Sequence, residues 1–104
     1  MRLFYTLDDH KNPVPCTLET WGSMYQNPEF KRVAFDEVDG FDISTVFLGI
    51  DHNHFGGRPI LFETMVFNKQ GDDVFQDRYH TWDEAVKGHE NTKEWVKNGC
   101  KDEE

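Results

Sequence analysis

Alternation of apolar and polar positions predicts five extended segments in this chain. Each segment shows the period of two that is typical of a β-strand. The predicted strands cover residues 2–7, 31–38, 41–50, 59–67 and 74–80, and the last shows the weakest pattern. The segment 41–50 is apolar on both faces, which predicts a position inside a sheet with cover above and below.

Turn residues indicate how these strands connect. Asp39-Gly40 favours a type I′ hairpin, because both central positions of that turn require a positive φ. Residues 51–58, with the sequence DHNHFGGR, close a second predicted hairpin, and residues 68–73 form a further turn. The two prolines of the segment 8–16 predict a break in regular structure there.

The first helical segment follows that break. Leu18, Trp21 and Tyr25 recur at the spacing of one helix face, and Thr17 is suited to the N-cap. The sequence NPEF, residues 27–30, is expected to end this helix.

The second helical segment carries signals at both ends. Thr81 and Glu84 form a capping box, and Asn98-Gly99 supplies a left-handed stop. Its apolar stripe is predicted to lie on the sheet and comprises Ala85, Val86, His89 and Val96.

Together these elements predict an α+β fold. We expect an antiparallel sheet of four to five strands, built from two hairpins and packed with two helices, in a single two-layer domain. The chain of 104 residues suits one domain spanning 1–104, with residues 98–104 as a flexible acidic tail. Aromatic residues, 14% of the chain, supply much of the area for a core.

A formal net charge of −9 narrows the classes of partner. Nucleic acids and anionic membranes are bound through Lys and Arg, so neither is expected to bind here. Two interpretations stay open. The charge either serves solubility alone or directs the protein to a basic groove on a partner protein.

The two cysteines indicate the compartment. Cys16 and Cys100 lie far apart in the sequence, and no close pair suggests zinc or redox chemistry. We therefore expect a reduced, intracellular chain rather than a secreted one. The first residues lack the apolar run of a signal peptide, and no segment approaches the length of a membrane span.

Glu63 is the first candidate for chemistry. If Ile50 lies opposite Ile60, Glu63 faces Phe47 and shares an apolar strand face with Met65. A carboxylate on a buried face needs a partner, or its pKa rises. Glu63 is then a general base, a ligand or an ion-pair partner. Alternatively, this face is open to water, or the carboxylate accepts ordinary hydrogen bonds.

The loop histidines extend this candidate site. His52 and His54 project to the same side of an extended segment, and with Glu63 and His89 they form four weak candidate ligands for zinc or another divalent metal. No spaced metal motif accompanies them, so no cofactor is assigned. The alternative for His89 is structural, because a His–carboxylate pair would hold the last helix against the sheet.

The loop itself also has two interpretations. Asp51 and Asn53 favour turns in which a side chain bonds to the backbone, and Gly56 and Gly57 supply unusual dihedral angles. The loop is then either a shaped binding surface or a connector. Nucleophile-elbow, protease and phosphate-loop motifs are absent from the sequence, so we lean against an enzyme and assign no catalytic residue.

Several segments, from about residue 13 to 90, resemble a family of short proteins encoded by bacteriophages and prophages. The segments are PVPC, STVFLGIDHN, GG, LFETMVF and RYHTWDEAVKGHE. The resemblance implies a phage accessory protein in the bacterial cytoplasm and assigns no chemistry. The matching positions are Asp51, His52, Asn53, Gly56, Gly57, Glu63, Thr64, Thr81, Trp82, Glu84, Ala85, Gly88 and His89. The chain departs from the family pattern at His54 and His80, which weakens the metal interpretation.

Three functions fit these observations. The first is a non-enzymatic binding protein that acts on a host protein. The second is a small-molecule or metal-binding domain, with or without catalysis, built from the loop, Glu63 and His89. The third is a virion-associated structural protein, which would be a homo-oligomer. We place them in that order, because a complete catalytic set is missing and the charge is strongly acidic.

Overall fold

A four-stranded antiparallel sheet and one long helix form the main body of the protein. The computed structural model describes residues 3–53 and 56–100. Its elements are β1 (Phe4–Leu7), β2 (Pro13–Cys16), α1 (Leu18–Tyr25), α2 (Pro28–Lys31), β3 (Arg32–Val38), β4 (Phe41–Phe47), β5 (Phe62–Phe67), β6 (Asp73–Tyr79) and α3 (Trp82–Lys97). β3 to β6 lie side by side in chain order, and β1 pairs with β2 in a separate sheet. The predicted α+β fold is confirmed, with its strands divided between two sheets and with one additional short helix.

The predicted break over residues 8–16 is confirmed for 8–12, which form a turn, and was wrong for Pro13–Cys16, which form β2. Pro13 and Pro15 of β2 lie opposite Leu7 and Tyr5 of β1 in antiparallel register. Both strands of a two-stranded sheet are edges, and on an edge the missing N–H of proline can face away from the partner.

The predicted hairpin turn between β3 and β4 is confirmed. Asp39 and Gly40 have φ angles of 53° and 86°, the two positive values that a type I′ turn requires. The second hairpin is also present, since β4 and β5 pair in antiparallel register on either side of the long loop.

α3 covers one face of the four-stranded sheet. The residues of β4 and β5 beneath it are fully buried and comprise Ile43, Thr45, Phe47, Phe62, Thr64 and Val66. The helix lies closest to β3 and β4 and makes fewer contacts with β6. At one end of the sheet, Tyr5, Leu7 and Met24 from the N-terminal layer join the same core.

The predicted helix boundaries of α3 are confirmed, and its buried stripe is confirmed with one exception. The Thr81 and Glu84 capping box is formed in full. Val86 is 41% exposed, whereas Thr92 is buried. Successive residues turn by about 100° around a helix, and this step carries Val86 off the face that lies on the sheet. None of the helices among the described residues is long and apolar enough to cross a membrane.

Gly49 diverts the chain at the end of β4. Its φ of 74° turns the backbone out of the strand, and Ile50 forms a bridge with Phe4 of β1. The predicted pairing of Ile50 with Ile60 was therefore wrong, and the regular part of the hairpin ends earlier than the apolar pattern suggests.

The register of β4 and β5 differs by one residue from the predicted one. Glu63 lies opposite Val46 rather than Phe47. Because side chains alternate between the faces of a strand, this shift puts Glu63 on the face away from α3. Of the predicted flexible tail over 98–104, Asn98 caps α3 and residues 101–104 lie outside the described part of the chain.

Candidate functional site

The Glu63 carboxylate is held by partners on the outer face of the sheet. It accepts a hydrogen bond from Arg78 Nε at 3.0 Å and one from the side-chain amide of Gln76, both on β6. Its side chain is 12% exposed. Two interpretations of Glu63 are therefore confirmed together: it is the ion-pair partner of Arg78, and it accepts an ordinary hydrogen bond from the Gln76 amide.

The 51–58 loop is shaped by its own side chains. Asp51 Oδ1 accepts hydrogen bonds from the N–H groups of Asn53 at 2.8 Å and Ile60 at 2.9 Å. Gly56 and Gly57 have φ angles of 81° and 89°. The predicted side-chain-to-backbone turns and unusual glycine dihedrals are therefore confirmed, and Asp51 closes the base of the loop.

The four predicted metal-ligand candidates do not meet as a set. Glu63 and His89 lie on opposite faces of the sheet, since Glu63 points away from α3 and His89 points from α3 into the core. In the part of the chain that the structure describes, no group of three or more His, Cys, Asp or Glu side chains is close enough to hold an ion. His52 belongs to the loop, and His54 lies outside the described residues.

His89 instead joins a chain of buried hydroxyls that crosses all four strands. Its Nδ1 lies 2.7 Å from Thr45 Oγ1, and Thr45 Oγ1 lies 2.5 Å from Thr64 Oγ1. Tyr79 donates its hydroxyl hydrogen to Thr64 Oγ1 at 3.1 Å. At the other end, His89 Nε2 lies 2.8 Å from Asp36 Oδ2. We call this series from Tyr79 to Asp36 the polar chain.

The polar chain has a consistent direction when His89 is neutral. Nε2–H of His89 donates to the Asp36 carboxylate, so Nδ1 is the acceptor and the Thr45 hydroxyl donates to it. The Thr64 hydroxyl in turn donates to Thr45, and the Tyr79 hydroxyl donates to Thr64. Burial raises the pKa of the Tyr79 hydroxyl, which keeps the first donor protonated. The structural interpretation of His89 is thus confirmed, but the carboxylate is Asp36 of β3 rather than Glu63.

The order Asp36, His89, Thr45 follows the logic of an acid–base–hydroxyl triad, yet it is closed to substrate. Thr45 and Thr64 have no exposed surface and His89 has 1%. A nucleophile must reach a reacting atom, and here the Thr45 hydroxyl is already engaged with Thr64. The geometry therefore supports packing of α3 on the sheet.

Asp36 makes the stability of the fold depend on pH. The hydrogen bond from His89, followed by the charge of Lys93, lowers the pKa of the Asp36 carboxyl from its ordinary value of 3.8. The group therefore stabilises the fold above the unfolded-state value, and this contribution is lost as the pH falls through the folded-state pKa.

We expect the Asp36→Asn variant to be less stable than the wild type near neutral pH. The two melting temperatures should converge as the pH falls from about 5 to below the folded-state pKa of Asp36, which lies under 3.8. Thermal unfolding followed by circular dichroism across this range measures the difference. A gap that stays constant over the whole range would contradict the role of Asp36.

A groove lies between α3 and β6, where the helix leaves the sheet uncovered. It has a volume of about 500 Å³. Phe75, Tyr79 and Trp95 line it with aromatic surface, and the rings of Phe75 and Trp95 pack at 5.0 Å between centroids. Asp77 and Asn91 add polar groups. The Tyr79 end of the polar chain reaches this groove.

Gly88 lets α3 approach β6 at this groove. A Cβ at position 88 would stand 2.3 Å from the ring of Tyr79. That ring cannot retreat without disturbing its hydrogen bond to Thr64. Gly88 is therefore a packing residue as well as a lining residue of the groove.

The Gly88→Ala substitution is expected to lower the free energy of unfolding by about 1 kcal/mol, because overpacking outweighs the helix-propensity gain. Gly22 in α1 has no atom within 4 Å of the corresponding position. Gly22→Ala should therefore stabilise the protein by about 0.5–1 kcal/mol. Urea unfolding of both variants tests the contrast, and a stabilised Gly88→Ala protein would refute it.

Of the five residues of the polar chain, the sequence analysis identified only His89 as a candidate. It did not identify Asp36, Thr45, Thr64 or Tyr79 as candidates. Thr45 and Thr64 each stand at the centre of an apolar strand face, and that position was the available signal, because a buried hydroxyl needs a partner. Asp36 lies on a strand in which apolar and charged residues are mixed, RVAFDEV, and no local feature showed that its side chain points towards α3.

Comparison with known proteins leaves the chain without a match: no protein-family model, curated protein or solved structure is similar to it.

Proposed function

We propose that this chain is a non-enzymatic binding protein that docks on a basic surface of a partner protein. In keeping with the resemblance described above, the partner would be a host protein, and the setting would be the cytoplasm of a phage-infected bacterium. The observation that carries the proposal is the placement of acidic residues at one end of the four-stranded sheet.

That acidic end is defined by five residues that lie in, or directly beside, two turns. The turns β3–β4 and β5–β6 lie together, because Asp42 pairs with Phe67 and Phe67 pairs with Asp73 across three strands. The acidic end comprises Glu37, Asp39, Asp42, Asp72 and Asp73. None of the ion pairs among the described residues uses them. Lys69 also lies there, with its side chain against Gly40, so five carboxylates stand beside one ammonium group and the local charge is net negative. This field would attract a basic partner.

The state of the other candidate groups supports binding rather than catalysis. His89 is buried in the polar chain, and Glu63 is neutralised by Arg78. Every buried side-chain nitrogen and oxygen among the described residues has a hydrogen-bond partner. A general base must lie within reach of a substrate proton, and these groups are committed to the fold.

A charge-neutralised variant tests the proposal. Asp39→Asn, Asp42→Asn, Asp72→Asn and Asp73→Asn together remove four charges from the acidic end. The matched control removes four charges from the helices through Glu19→Gln, Glu29→Gln, Glu90→Gln and Glu94→Gln. Both remain acidic proteins, and asparagine tolerates the positive φ at position 39.

We expect the wild type to retain a defined bacterial protein that is released as salt rises from about 50 to about 500 mM, since screening weakens contacts between exposed charges. The turn variant should bind that purified partner at least about tenfold more weakly, with the helix control near the wild type. Equal binding by all three proteins, or retention of nothing that responds to salt, would refute the proposal.

A further inference from the structure

We propose that the partner is bound as an extended strand added to the free edge of β6, with alternate side chains entering the groove between β6 and α3. This inference rests on the proposed function and assigns it a site. The occupant is a segment of another protein in which apolar and basic residues alternate.

The free edge of β6 offers regular backbone groups. From Phe75 to Tyr79 this strand keeps continuous antiparallel register with β5 on its other side. The N–H of Arg78 points to this edge, where it donates at 2.9 Å to the neighbouring Asp77 carboxylate, and an added strand would take the place of that carboxylate. Because backbone direction alternates along a strand, the groups of Gln76 point the same way. An edge of this kind pairs with an extended peptide.

The opposite edge of the sheet lacks a comparable groove. α3 lies directly over β3, where Asp36 is bound by His89 and by Lys93 at 3.5 Å. Both edge strands contain a bulge, between Arg32 and Ala34 in β3 and at Val74 in β6, so the space beside the helix distinguishes the two edges. A strand added at β3 would find no space under the helix for its inward side chains, whereas one added at β6 would.

The groove supplies apolar contacts to such a strand. Phe75, Asp77 and Tyr79 face the same side as α3, so residues of an added strand that follow this pleat would project over the rings of Phe75, Tyr79 and Trp95. Side chains at every second position would gain this contact. The occupant should therefore carry apolar residues with a period of two.

Charge selects a basic occupant over a second copy of this chain. β6 begins at Asp73 in the acidic end of the sheet, and Asp77 stands midway along it. Arg78, the basic residue of β6, is already paired with Glu63, and Lys87 of α3 lines the groove together with Glu84. Two copies would each bring a net charge of −9 to the contact, which opposes an edge-to-edge dimer. Lysine side chains of the added strand would instead be attracted by the carboxylate of Asp73.

The probe for this test is a fluorescein-labelled heptapeptide of alternating lysine and valine with blocked ends, measured by fluorescence anisotropy. Two further peptides carry N-methyl groups, one on every valine and the other on the internal lysines. In an extended strand these two sets of N–H groups face opposite edges. Pairing with β6 requires one set only, so one methylated peptide should bind at least about tenfold more weakly and the other like the parent.

Two protein variants locate the contact. Asn91→Trp places a ring in the groove from the exposed face of α3, and Ser23→Trp places the same ring on the exposed face of α1. We expect Asn91→Trp to weaken binding of the parent peptide at least about tenfold and Ser23→Trp to leave it unchanged. Circular dichroism confirms that both variants are folded.

The outcomes separate this inference from the proposed function. If both methylated peptides and both variants bind like their parents, strand addition at β6 is refuted, while docking through the acidic end still stands on its own charge-variant test. If the parent peptide does not bind at all at low salt, strand addition is likewise refuted. Selective loss with one methylated peptide and with Asn91→Trp supports it.

Discussion

Replacing His89 with alanine is expected to lower the free energy of unfolding by about 3–4 kcal/mol. The imidazole is 1% exposed, so its loss leaves a cavity beneath α3. It also removes the groups that bind Thr45 at 2.7 Å and Asp36 at 2.8 Å. Thr45 is fully buried and loses one of its two partners, which adds to the cost of the cavity. Equilibrium urea unfolding gives the value.

Val86→Ala is the control for this measurement, because Val86 lies on the same helix and is 41% exposed. We expect it to cost less than about 1 kcal/mol, mostly through the small change in helix environment. If His89→Ala and Val86→Ala destabilise the protein equally, the polar chain does not hold α3 to the sheet.

The second large effect is expected at Gly49, where alanine should cost about 2–5 kcal/mol. The φ of 74° penalises any residue with a Cβ by about 1–2 kcal/mol. The new Cβ would also stand 2.7 Å from Trp21 and 2.9 Å from Met24, and displacing them costs about 1–3 kcal/mol. Trp21 cannot move freely, since its Nε1–H donates to the Leu48 carbonyl at 3.2 Å.

Gly71→Ala separates the two contributions at Gly49. Gly71 has a φ of 85° in the turn before β6, and no atom lies within 4 Å of its Cβ position. It should therefore show the backbone cost of about 1–2 kcal/mol alone. Urea unfolding of both variants gives the comparison. A Gly49→Ala variant no less stable than Gly71→Ala would mean that the N-terminal layer does not pack on Gly49 as described.

Local signals in the sequence were sufficient for most elements of this fold. The Asp39-Gly40 turn, the Thr17 N-cap and the Thr81 capping box each depend on a few adjacent residues, and all three are present. Such signals act through short-range hydrogen bonds and allowed dihedral angles. β2 was missed because the pairing of Pro13 and Pro15 with β1 is a tertiary contact that overrides the local effect of proline.

The site was harder to predict because it depends on which face of the sheet each side chain occupies, and residue type alone does not determine that face. Glu63 and Met65 share a face with apolar neighbours, and nothing local shows that this face lies outside. The observed β4–β5 register differs by one residue from the predicted one, and a shift of one residue reverses the face of every residue in β5. His89 was correctly placed inside, and a carboxylate partner was correctly expected, but only the tertiary fold selects Asp36.

The Thr45–Thr64 hydrogen bond disfavours alternative registers of β5 that would otherwise have a stability close to that of the native register. A slip of β5 by two residues would keep its apolar face inward. It would, however, place Phe62 or Val66 opposite Thr45, so the hydroxyl groups of Thr45 and Thr64 would lose their hydrogen bond to each other inside the core. Each such stranded group costs about 1–3 kcal/mol. Apolar residues alone would tolerate the slipped alternatives, whereas the paired threonines disfavour them and so help to make the folded state unique.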